Sequence, residues 1–180
     1  MQSTISCEWV SAFRELYGKA LQKYGEGSRD AARYFAKTET AWLASIGCSP
    51  MEIYDFAEDY PEIDCEAALL ISEVRRDYFL HVMKGRSSGR RIEPDNLPAR
   101  DAKLAGIPWL PRIIFKAKAK LRGEMPDSLM YGCGGDRGFL KQFDIHPADF
   151  LRIVWAAGEN DSEIVRFVKK RSVRDTAPSK

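Results

Sequence analysis

The chain has 180 residues, with 28 Lys and Arg against 26 Asp and Glu and a formal net charge of +2. That length suits one domain, or one core with a smaller lobe, and excludes two large independent domains. Hydrophobic residues at 44% and charged residues at 30% exclude wholesale disorder and a coiled-coil rod. Near balance of charge leaves no global field to draw nucleic acid, so such a partner is not expected.

The first element is predicted over Glu8 to Tyr24, where Trp9, Phe13, Leu16, Tyr17, Ala20 and Tyr24 recur at helical spacing. No basic start, continuous apolar core or cleavage site precedes it, and no later run approaches the ~20 apolar residues of a membrane span. A cytoplasmic setting without a membrane partner is the resulting expectation. After GEGSRD, a short helix is predicted from Thr38 to Ile46, closed by Gly47. Ser49, Pro50 and Glu52 form a capping-box start for a helix that ends before Pro61. Asp64 then caps a longer helix through CEAALLISEVRRDYFLHVMK, terminated by Gly85. Its Arg75, Arg76 and Asp77 read as salt-bridged surface, and the acidic set Glu52, Asp55, Glu58, Asp59 and Glu62 reads as a solvated helix face.

Residues 85–100, rich in Gly, Ser, Pro and charge, read as an exposed connection between an N-terminal helical subregion (1–84) and a C-terminal helical region (101–172), with a flexible tail at 173–180. In the second region a helix begins at Pro108 or Pro111 and ends near Gly123. Asp136 heads a short helix toward Phe143, Pro147 opens another that ends before Gly158, and Asn160 with Glu163 introduces the last. No period-two run of useful length occurs. The chain is therefore expected to be all-α, a bundle of about seven to nine helices with no substantial sheet.

Unusual residues crowd into one place. In GIPWLPRIIFKAKAKLRG, Arg112, Lys116 and Lys120 step at four-residue intervals and so share one helix face, opposite Leu110, Ile113, Ile114, Ala117 and Leu121. The bland reading is a solvated cationic face. Soon after comes YGCGGDRGFL, where Gly134 and Gly135 allow close backbone approach, Asp136 can cap a helix, and Arg137 offers a forked donor. The spacing matches neither a phosphate-binding Walker loop nor a dinucleotide fingerprint, so a tight turn with a capped helix is the simpler alternative. Cys133 could be a nucleophile with His146 as base, although no Cys-His signature is present. Cys7, Cys48, Cys65 and Cys133 form no CxxC pair, and the two histidines lie in no metal-binding pattern, so no metal and no cofactor are expected.

The segments LAGIPWLPRIIFKAKAKLRGE, LMYGCGGDRGFL and GENDSEIVRFVKK resemble the bacterial family of uncharacterised proteins DUF5069, over roughly residues 95–170. Gly106, Trp109, Leu110, Arg112, Lys116 and Ala117 fit its G-x-x-W-L-x-R-x-x-x-K-A block, and Tyr131, Cys133, Asp136, Phe139 and Leu140 fit its second. Many members carry an aspartate where Phe115 stands here. The N-terminal half resembles the extension of longer members. The family confers no activity, but the resemblance implies one constellation of Trp109, Arg112, Lys116, Tyr131, Cys133, Asp136 and Arg137, to which the amides of Gly134 and Gly135 are added. Its expected role is to bind a small phosphate- or carboxylate-bearing ligand. The alternatives are an adaptor holding a protein partner or a second copy of the chain, and an enzyme using Cys133 or Asp136.

Overall fold

A computed structural model describes residues 4–172 and the side chains of residues 8–171. The proposed tail at 173–180 and the Cys7 side chain lie outside them. The fold is all-α, with eight α-helices among the described residues and one two-stranded ribbon. Two compact units divide the chain, residues 1–87 and 88–180. Among the described residues, no helix is long and apolar enough to cross a membrane.

In the first unit, α1 (Thr4–Gly25) buries the stripe Trp9, Phe13, Leu16, Tyr17 and Ala20. The Tyr17 hydroxyl donates to the Ile63 carbonyl at 2.8 Å, and burial holds this phenol well above the ordinary tyrosine range. Helix α2 (Lys37–Ser45) starts where Glu39 reaches back to the Ala36 amide while also taking the Lys19 ammonium. The Lys19 and Ala36 hydrogen bonds lower the Glu39 pKa. At α3 (Pro50–Glu58) the capping box forms as the sequence predicts: Ser49 Oγ accepts from the Glu52 amide at 3.3 Å and Glu52 accepts from the Ser49 amide at 2.8 Å.

Asp64 caps α4 (Cys65–Asp77), which passes into a π-helical turn over Tyr78–Val82. Here the sequence reading needs correction, because Arg75 is not surface but only 3% exposed. Its guanidinium lies 5.2 Å from the Phe79 ring centroid and 3.7 Å from Met83 Sδ, and burial lowers its pKa. A weakly hydrated planar cation tolerates such stacking where an ammonium would not. Gly47 makes the room: with φ +77°, it stands where a Cβ would fall 2.7 Å from Phe79 and 3.1 Å from Arg75 Cζ.

The connection over residues 85–100, which enters the second unit at Ser88, is mostly exposed, except that Leu97 is buried and Ile92 and Pro98 half-buried. Arg91 nevertheless donates to the Met125 carbonyl at 2.7 Å, and the Ile92 amide donates to the Glu124 carbonyl at 2.9 Å. The ribbon β1 (Lys103–Leu104) and β2 (Ile107–Pro108) pairs Leu104 with Ile107 across Ala105 and Gly106. Both turn residues have positive φ, as a two-residue hairpin with the right-handed strand twist requires. The chain then enters α5 (Leu110–Arg122) through Trp109, itself left-handed at φ 67°. Gly123 closes α5 in the left-handed conformation. Next come α6 (Gly134–Gln142), α7 (Pro147–Ala157) and α8 (Asp161–Ser172). Leu110, Ile113, Ala117, Ala148, Phe150, Leu151, Ile164 and Val168 form the core of this unit.

Lys118 and Arg122 tie α5 to the start of α8, with Lys118 Nζ 3.0 Å from both Glu159 and Asp161 and Arg122 2.6 Å from Glu159. Burial alone would depress the Lys118 pKa, but Asp161 and Glu159 outweigh it and leave it raised, while the Lys118 hydrogen bond lowers that of Glu159. A carboxylate whose folded pKa is depressed contributes stability that is present above its unfolded value and is lost as pH falls through the folded value. Thermal melts of wild type and Glu159→Gln between neutral pH and pH ~3 should therefore converge at the acid end. Parallel curves would remove Glu159 from the acid sensitivity.

Candidate functional site

The site grows from one buried carboxylate. Asp136 is the third residue of α6 and has no solvent exposure. Its Oδ1 accepts from Trp109 Nε1 at 3.0 Å, and its Oδ2 accepts from the Gly132 amide at 3.0 Å and from Lys116 Nζ. Lys116 is itself only 3% exposed. An unpaired ion here would cost several kcal/mol of desolvation, roughly, so each charge requires the other. The pair joins the middle of α5 to the turn before α6.

This changes the expected cationic face. Lys116 and Lys120 are both buried, at 3% and 4% exposure, while Arg112 is half-buried. Their four-residue spacing does align them, but along a face packed within the protein and not along a solvated ridge. Arg112 donates to the Pro98 carbonyl at 2.7 Å and lies 5.7 Å from the Trp109 ring centroid, so it fastens the segment before the ribbon.

Tyr131 is 2% exposed and donates its hydroxyl to the Pro147 carbonyl at 2.8 Å. Burial, and then the Asp136 charge, raise its pKa far above the ordinary range, so the phenol stays neutral and a donor. His146 serves the same junction: as the N-cap of α7 its Nδ1 accepts from the Ala148 amide at 3.2 Å. The sequence reading had paired it with Cys133 as a base. The Cys133 Sγ accepts from Lys116 Nζ at 3.2 Å.

Cys133 is the N-cap of α6 and makes no side-chain cap bond. The first helical amides belong to exposed Gly134 and Gly135 and receive no bond from the N-cap side chain. Arg137 donates to the Gly132 carbonyl at 2.8 Å, and its Nη2 lies 3.9 Å from the place a Cβ on Gly134 would take. Gly135 is required for a different reason: a Cβ there would stand 2.5 and 2.7 Å from atoms of the Trp109 ring. Among the described residues no three His, Cys, Asp or Glu side chains converge as metal ligands.

All nine sequence-predicted residues lie in this one unit, but in different capacities. Trp109, Lys116 and Asp136 form the interior knot, Tyr131 and Arg112 brace its edges, and Cys133, Gly134, Gly135 and Arg137 form its accessible side. The sequence reading missed the Lys116 contact with Cys133 and the Gly132 amide as a ligand of Asp136.

Fold and site together define an all-helical domain organised on a buried lysine–aspartate pair beside a solvent-accessible cysteine. Residues 97–179 match the model of the family DUF5069, described as a domain of unknown function. No curated protein and no solved structure gives a significant match.

Replacing Asp136 by Asn should destabilise the protein by about 3–5 kcal/mol, because it strands the Lys116 ammonium. Denaturant unfolding measures this, and a cost below ~1 kcal/mol, the level of an exposed pair, would contradict the assignment. Glycine substitutions give a second check. Gly135→Ala should cost about 1–3 kcal/mol by overpacking against Trp109, whereas Gly138→Ala, with nothing within 4 Å of its Cβ, should be neutral or stabilise by up to ~1 kcal/mol.

Proposed function

We propose that this is a cytoplasmic bacterial binding protein whose ligand is small and carries a phosphate or carboxylate, received at the N-terminus of α6. The observation that carries the reading is the uncapped first turn: exposed Gly134 and Gly135 amides with the Arg137 guanidinium held alongside by Gly132. First-turn amides and the helix dipole favour an anion, and a guanidinium adds charge-assisted donors. The neighbouring Asp136 does not repel it, because Lys116 neutralises that carboxylate from within.

Relative to the sequence expectation, the cation proposed for the ligand is Arg137, whose Nη2 lies 3.9 Å from the place a Cβ on Gly134 would take, whereas Lys116 is buried against Asp136. The burial of Tyr131 and the inward engagement of Arg112 favour this reading over an adaptor surface made of Trp109, Tyr131 and Arg112. Titration calorimetry with inorganic phosphate and with acetate should show saturable binding by wild type. Arg137→Ala should weaken it at least about tenfold, or ~1.4 kcal/mol, with Arg112→Ala much less affected. Equal affinity in wild type and Arg137→Ala would overturn the assignment.

One observation favours an enzyme as the second reading: half-exposed Cys133 accepts at its sulfur from Lys116. A nucleophilic Cys133 should be alkylated by iodoacetamide at least about tenfold faster than Cys65, which is equally half-exposed, because positive surroundings favour thiolate chemistry. Equal rates would remove the nucleophile.

A further inference from the structure

We infer that Cys133 and Lys116 form an oxidation-responsive pair, linked by a covalent sulfur–nitrogen bond when the cysteine meets a hydroperoxide. Three observations converge on it. Cys133 is half-exposed at the head of α6, on the side from which an oxidant would approach. The Lys116 nitrogen stands 3.2 Å from it and is held there by burial and by Asp136. Cys133 is also the one cysteine between residues 88 and 180, so its own unit supplies no second thiol to resolve an oxidised sulfur.

The chemistry balances in two steps. Hydroperoxide transfers one oxygen to the thiol, giving sulfenic acid and water when the oxidant is hydrogen peroxide; sulfur is oxidised and the peroxide oxygen–oxygen bond is reduced. A sulfenic acid is electrophilic at sulfur and condenses with nitrogen nucleophiles. Lys116 passes its ammonium proton to Asp136, and the freed amine lone pair attacks sulfur. The sulfur–oxygen bond breaks, and hydroxide leaves as water with the proton that Asp136 accepted. Attack leaves the linked nitrogen with two hydrogens and a positive charge; it keeps one and loses the other to solvent by way of the regenerated Asp136 carboxylate, so one proton is released overall. The product is lighter than the reduced protein by two hydrogens, and its Lys116 no longer carries a charge.

The link would staple α5 to the turn before α6 and leave Asp136 without its counter-ion, directly beneath the amides of Gly134 and Gly135. Oxidation would thereby make the mouth of the site more negative. The inference does not rest on anion binding, because its test contains no ligand.

The experiment treats the full-length protein with hydrogen peroxide, digests it without reductant and maps it by mass spectrometry. The expected result is a linked peptide pair joining Lys116 to Cys133, two hydrogens lighter than the sum of its parts and separated again by dithiothreitol. Lys116→Arg keeps a cation but lacks a condensing amine, so it should yield no linked pair and a Cys133 sulfenic acid that dimedone captures. Sulfinic Cys133 without a linked pair in wild type would overturn the proposal, as would recovery of unmodified Cys133 under conditions that oxidise Cys65.

Discussion

The second unit depends on the neutralisation of Asp136. A carboxylate with no exposure is tolerable only with its lone pairs filled, and three donors from separate places fill them: the indole of Trp109, the amide of Gly132 and the ammonium of Lys116. Each donor fixes a piece of chain. Trp109 sets the entry to α5, Lys116 its middle, and Gly132 the turn into α6. The placement of Cys133 and of the first helical amides beside it follows from that arrangement.

The local determinants of this fold are legible in the sequence. Ser49 with Glu52, Asp64 before α4, Pro147 at the head of α7 and Gly123 after α5 each act at the place their chemistry indicates. These signals need only neighbours within a turn, so a sequence carries them whole. Element count and class follow from them, as does the absence of any strand longer than two residues among the described ones.

What the sequence could not show is long-range. Periodicity counts lysine as polar, so Lys116 and Lys120 read as solvated although both are buried. The partner that makes Lys116 tolerable lies twenty residues away, and no spacing rule links the two. Arg75 escapes for a similar reason: its cover comes from Phe79 across a π-helical turn and from the space left by Gly47. Glycines were conspicuous in YGCGGDRG, but only the folded chain separates their duties. Gly135 yields space to an indole, while Gly138 faces open surroundings.

That close approach of Gly135 and Trp109 also restricts how the chain can drift. Any side chain at position 135 displaces the indole, and a displaced indole withdraws a donor from Asp136. As long as tryptophan remains at position 109, glycine is the one residue that position 135 accepts without rearrangement. A smaller residue at 109 would have to come first, together with another donor for the carboxylate. The order in which the two positions can change is set by the space between them.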